Sequence, residues 1–128
     1  MPFNRLIPEL SVTDWEVSKQ FYQTLGFQIM YERVEDRFCF LELEGNQIMI
    51  EQINDHWNTA KLEYPFGRGI NISMAIDDID TFYKKVKTAN IKIFKELMIN
   101  QYQVKDTVYE DKEFLIQDPD GYLLRFNQ

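Results

Sequence analysis

Laid over itself with an offset of 64 residues, half of its 128, the chain repeats: Val12-Thr13-Asp14-Trp15 falls on Ile76-Asp77-Asp78-Ile79, Thr24 falls on Thr88, and Asn90 takes the place of Gly26. Self-similarity at a fixed offset marks a duplicated structural unit, and this period is too long for a solenoid repeat. A chain of this length has room for one ordinary domain. The fold must therefore be one domain over 1–128 built from two copies of a small unit, one over about 1–64 and one over about 65–128.

Each copy reads as strand, helix and three strands. In the first, residues 5–12 form a strand whose proline, Pro8, belongs at an edge or a bend. Thr13-Asp14 then offer N-cap chemistry to a helix with Trp15, Phe21, Tyr22 and Leu25 on its apolar stripe, closed by Gly26. Strands are predicted at about 27–35, 37–43 and 47–53, with Glu44-Gly45-Asn46 as a turn. In the second copy a strand at 70–76 leads through Asp77-Asp78 to a helix carrying Ile79, Phe82, Tyr83 and Val86, with Asn90 as its left-handed cap. Strands follow at about 91–99, 112–117 and 121–127, the last two joined by the turn Asp118-Pro119-Asp120-Gly121. Two stretches stand outside the plain repeat, a connector at 54–69 and a polar loop at 100–111, both rich in aromatics. Loops of that length in a small domain are commonly functional.

Fourteen basic residues against 21 acidic ones give a net charge of −7. The imbalance is uneven: residues 1–64 carry −6 and residues 65–128 only −1. Nucleic acid is a poor partner for such a chain, because affinity there comes from neutralising phosphates. A cationic ligand is a better one, although acidity also serves solubility. No apolar run is long enough for a membrane span. The single cysteine, Cys39, excludes an internal disulfide and suits the reducing cytoplasm, where we expect the protein to reside. No nucleophile triad, phosphate loop or dinucleotide fingerprint is present. Cys39 lies among apolar residues and reads as structural. His56, the only histidine, reads as a solvated loop residue, with a general base as the alternative. The Lys84, Lys85 and Lys87 cluster reads as the outer face of the second helix.

The duplicated βαβββ pattern, the Val-x-Asp before a helix ending in Phe-Tyr-x-x-Leu-Gly-Phe, and the closing Asp-Pro-Asp-Gly-Tyr-Leu-Leu-Arg-Phe resemble the glyoxalase/bleomycin-resistance (vicinal oxygen chelate) superfamily over essentially the whole chain. The resemblance implies an α+β fold in which tandem βαβββ modules form a concave mixed sheet, and a homodimer. It also implies where metal-dependent members carry their ligands: here Ile7, Glu51, Asn71 and Arg125. Only Glu51 would serve a hard divalent cation well, so no metal and no other cofactor is expected. An enzyme of the superfamily with atypical metal ligands (a lyase or isomerase, dioxygenase or thiol transferase) is the alternative.

The drug-sequestering branch is the better match. Its members hold bleomycin-type glycopeptides in crevices between the subunits of a homodimer, stacking the drug's flat rings between aromatic side chains and following its cationic tail with acidic groups. By that resemblance the chain is a metal-free, non-catalytic binding protein conferring antibiotic resistance, with a small-molecule ligand and neither nucleic acid nor membrane as partner. Val34-Glu35-Asp36-Arg37-Phe38 matches a stretch whose aromatic is a stacking platform, Tyr109 stands where the family has a tryptophan, and Pro8 matches a proline at which the first strand of some members crosses to the partner. The implied ligand-binding residues are Asp36, Phe38, Phe40, Glu51, Trp57, Phe66, Asn71, Tyr102, Tyr109 and Arg125. Glu51 has two roles open to it, neutralising Arg125 or accepting a hydrogen bond from the ligand.

Overall fold

In a computed structural model, residues 2–128 are described, and the chain divides into two compact units between Phe66 and Gly67. The first unit runs β1 (Glu9–Val12), α1 (Trp15–Leu25), β2 (Gln28–Arg33), β3 (Phe38–Leu43) and β4 (Asn46–Gln52); the second runs β5 (Asn71–Ala75), α2 (Ile79–Thr88), β6 (Ile93–Val104), β7 (Thr107–Gln117) and β8 (Leu123–Asn127). Each unit is βαβββ, with its strands in one mixed four-stranded sheet. The orders are β1-β4-β3-β2 and β5-β8-β7-β6, so the first strand of each unit lies parallel to its last.

The caps that open and close both helices are those the sequence offers. The Asp14 carboxylate accepts from the backbone N–H groups of Glu16 and Val17 at the start of α1, and Asp78 accepts from Thr81 at the start of α2. This bond, backed by one from the Thr81 hydroxyl, holds the Asp78 carboxyl below its ordinary range. Gly26 takes φ 108° and Asn90 φ 60°, and the residue after each reaches back five residues, Phe27 N–H to Tyr22 and Ile91 N–H to Val86. These are Schellman closures. In the first, the Phe27 ring also packs edge-on against Tyr22 at 5.4 Å.

Several boundaries differ from the sequence expectation. The first strand begins at Glu9 rather than residue 5, just past Pro8, which brings no N–H to a ladder. Ile7 therefore lies outside it. Strand β2 stops at Arg33 and gives way to a 3-10 turn, Val34–Asp36, that ends with Arg37 at φ 50°. The stripe of α1 buries Ser18 with Trp15, Tyr22 and Leu25, leaving Phe21 half-buried. The largest difference is at 100–111, expected as a loop. It is the far part of a hairpin in which β6 and β7 stay paired out to Val104 and Thr107. Its polar residues hide a strand, because Tyr102 and Tyr109 are cross-strand partners stacked at 5.6 Å. The turn between them is Lys105-Asp106, where a lysine takes φ 56° in place of the usual asparagine or glycine.

Alternation along the strands gives each sheet two faces. In the first unit, Leu10, Val12, Cys39, Leu41, Ile48 and Ile50 share the face under α1, fixed there by Lys19 of the helix pairing with Glu32 at 3.2 Å and by Gln52 accepting from the Trp15 N–H at 2.9 Å. In the second, Phe114 and Phe126 lie under α2 against Phe82, at 5.9 and 4.7 Å. Both sheets therefore keep a second face that their own helix does not cover.

Candidate functional site

On the first sheet, the register sets Glu9, Ser11, Met49, Glu51, Tyr31, Arg33, Phe38 and Phe40 on the helix-free face. Phe38, a stacking platform by the resemblance, and Phe40, a ligand contact by it, with ordinary sheet packing as the alternative for both, are buried, at 2% and 1% exposure. Tyr31 lies against both, parallel to Phe40 at 5.4 Å and tilted over Phe38 at 5.8 Å. Phe3 closes on Phe40 edge-on at 5.3 Å, and the Arg33 guanidinium sits 4.0 Å above the Phe38 ring. The two phenylalanines are thus a floor, and the aromatic surface above it belongs to Tyr31, which is 36% exposed. Tyr31 was missed because a bulge between Ile29 and Tyr31 shifts the alternation of β2; pairing it with Phe40 would have found it. Asp36 serves Arg33, at 3.1 Å, and so steadies that cover. Phe66 is buried as well, so its expected ligand contact gives way to packing.

Glu51 is half-buried on β4, opposite Ser11 in the parallel pair. Its Oε1 accepts from Asn54 Nδ2 at 2.8 Å and from Trp57 Nε1 at 3.1 Å. The connector thus has a local purpose: it folds back so that Trp57, 65% exposed, stands over Glu51 with its ring in the open. His56 lies edge-on to Trp57 at 6.5 Å. Glu9, which the sequence reading passed over, joins Glu51 on this face. Partial desolvation, and then the Glu51 charge, push its carboxyl above the ordinary range, with Arg33 pulling the other way. The burial of Leu10 and Val12 was the available signal, since it puts Glu9 and Ser11 on the opposite side of the strand.

On the second sheet, the register sets Asn71, Ser73, Leu123, Arg125, Asn127, Glu113, Asp111, Tyr109 and Tyr102 on the helix-free face. Arg125 Nε lies 3.0 Å from Glu113 Oε2 as an ion pair, although its N–H points off the hydrogen-bond line. The Glu113 side chain is only 15% exposed and also accepts from Asn100 Nδ2 at 2.6 Å. Glu113 therefore neutralises Arg125, a role one reading had given to Glu51. Asn127 Nδ2 donates to Ser73 Oγ at 2.8 Å, and Asn71 is exposed. Farther along the hairpin Tyr102 and Tyr109 are about half exposed.

A metal does not fit the ligand positions implied by the resemblance. Ile7 has no donor atom, the Glu51 carboxylate is engaged by two N–H donors, and Arg125 brings a positive charge. Among the described residues, no group of three or more His, Cys, Asp and Glu stands close enough to hold a metal ion. Burial pushes the Cys39 thiol up to about 11, which keeps it protonated and unreactive at neutral pH. An open depression of about 400 Å³ at the start of α1 is lined by Asp14, Glu16, Val34 and Arg37 among others, but the capping groups there are already paired with one another. No helix among the described residues is long and apolar enough to cross a membrane.

Comparison with known proteins matches residues 4–126 to the model of the Glyoxalase/Bleomycin resistance protein/Dioxygenase superfamily. A bleomycin resistance protein of Geobacillus stearothermophilus is 26% identical over 95% of this chain and 94% of its own. Among solved structures, TioX from Micromonospora sp. ML1 superposes with a TM-score of 0.74 at 17% identity, covering 98% of both chains. A bleomycin-binding protein in complex with bleomycin gives a TM-score of 0.68 at 21% identity, also over 98% of both chains.

Proposed function

The chain belongs to the glyoxalase/bleomycin resistance protein/dioxygenase superfamily, and from that premise we propose that it is a metal-free, non-catalytic binding protein that sequesters a bleomycin-type antibiotic as a cytoplasmic homodimer. The observation that carries this reading is the pairing of open aromatic rings with carboxylates on the first sheet: Tyr31 above its phenylalanine floor, and Trp57 hydrogen-bonded to Glu51 beside Glu9. A flat heteroaromatic ligand gains from offset stacking on such rings, and a cationic tail gains from the two carboxylates. The stacked Tyr102 and Tyr109 offer a second aromatic surface, and Asn71 and Arg125 offer polar contacts. Phe38 and Phe40 act from beneath, by holding the surface in place.

The electrostatics agree with that division of labour. The surplus of acid lies in the half of the chain that carries Glu9 and Glu51, so the field there favours a cation before contact. Calorimetric titration with bleomycin tests the proposal. Saturable heat with one site per subunit and a Kd of about 1 μM or tighter, ~8 kcal/mol of binding free energy, is the expected result. No heat and no quenching of tryptophan fluorescence at millimolar drug would overturn it.

A further inference from the structure

We propose that the helix-free face of the second sheet recognises a neutral carbonyl group, an amide above all, with Arg125 as the donor and Glu113 as the positioning residue. A guanidinium carries five N–H donors, more than a single contact to one carboxylate oxygen can use. Here the pair is made through Nε, 3.0 Å from Glu113 Oε2, and among the described residues Glu113 is the only partner of the guanidinium. Register sets Arg125 on the helix-free face, where its side chain is 39% exposed and has donors beyond the Nε that faces Glu113. Glu113 is itself fixed by a hydrogen bond from Asn100 at 2.6 Å, so the guanidinium fork is ion-paired to a carboxylate that is held in place.

Charge decides what the fork holds. By register, the charged residues of this face are Arg125 and Lys95 against Glu113 and Asp111, which balance. A carboxylate or phosphate entering there would meet no net attraction, and the charge of Arg125 is already spent on Glu113. A neutral acceptor needs only the directed N–H groups. Asn71 stands exposed on the neighbouring strand, two residues from Ser73, which is the cross-strand partner of Arg125. Its carboxamide has both a donor and an acceptor, the complement of an amide. The site deepens the sequestration reading, on which it rests only in taking this face to meet a small ligand.

The test follows the Arg125 Nε–H resonance by NMR, assigned by its loss in Arg125→Gln, while the protein is titrated with benzamide, benzoate and benzylammonium. Benzamide should shift that signal and the backbone amides of Asn71 and Ser73 saturably, and bind at least five times more tightly than benzoate. Arg125→Lys keeps the charge and loses the fork, and should weaken benzamide at least tenfold. Glu113→Gln should weaken it as well, with a dispersed spectrum showing that the variant is folded. Stronger shifts with benzoate would make the site an anion site and overturn the proposal, as would benzamide leaving Arg125 unmoved. Failure of bleomycin to bind would remove the sequestration reading without touching a positive benzamide result.

Discussion

The two sheets seat opposite charges in the same place. In the first, Ser11 of β1 faces Glu51 of β4 across the parallel pair; in the second, Ser73 of β5 faces Arg125 of β8. Each charge is held by polar neighbours, Glu51 by Asn54 and Trp57, Arg125 by Glu113. Beside Glu51 the face is an aromatic floor closed over by Tyr31, Arg33 and Phe3, whereas beside Arg125 it has no aromatic floor and carries Asn71, Ser73, Asn127, Leu115 and Leu123, with the long hairpin beyond. The helix-facing sides, by contrast, keep one plan in both units, with a capped helix laid on an apolar sheet. Duplication has preserved what folds each unit and let the other face diverge in charge and in aromatic content.

The floor of the first sheet is where this contrast breaks most heavily. Phe40→Ala removes a ring that is 1% exposed and packed between Tyr31 and Phe3, and should cost about 3–5 kcal/mol in chemical denaturation. Tyr109→Ala on the open hairpin should cost no more than about 1 kcal/mol of stability, since only a cross-strand pair is lost. It should nevertheless weaken bleomycin binding by about 1–3 kcal/mol. Equal stability losses in the two variants would mean the faces do not differ as described.

Much of this contrast could be read from the residues alone, and the part that could not has a common cause. The Asp14 and Asp78 caps, the Gly26 and Asn90 closures and the Glu44-Gly45 turn depend on neighbours in sequence. At that turn both residues take positive φ, 49° and 82°, as a tight hairpin with the native twist requires. The larger differences lie where a distant partner decides. Stacking and sheet packing stayed open for Phe38 and Phe40, because nothing local says that Phe3 and Tyr31 will close on them. Residues 100–111 looked like a loop because their pairing depends on two tyrosines seven apart and a turn with no glycine. Glu51 and Arg125 were both noticed, but their partners, Trp57 and Glu113, come from register and from a folded-back connector.

Smaller effects sharpen the electrostatic half of the comparison. Trp57→Phe keeps the ring but removes the N–H given to Glu51, and should lower stability by ~1 kcal/mol. Drug affinity should fall further if the indole is also a stacking surface. Glu9→Gln should act in the opposite direction. The folded carboxyl of Glu9 is raised, so its contribution is most favourable at acid pH, where it is protonated in both states, and is lost as pH rises through the folded value. At pH 7 the neutral variant should therefore be the more stable, by no more than about 0.5 kcal/mol for a surface site. The gain should vanish below the carboxylate range. Thermal melts of both proteins between pH 3 and pH 7 read the sign directly.

The central claim is that the protein holds its ligand without changing it. Equilibrium dialysis against bleomycin, followed by mass spectrometry of the drug released on denaturation, tests that in one measurement. The account predicts drug retained in proportion to subunits and recovered at its original mass. Drug recovered with an altered mass would contradict the claim and make the protein an enzyme, and drug that passes freely through the dialysis would contradict binding itself.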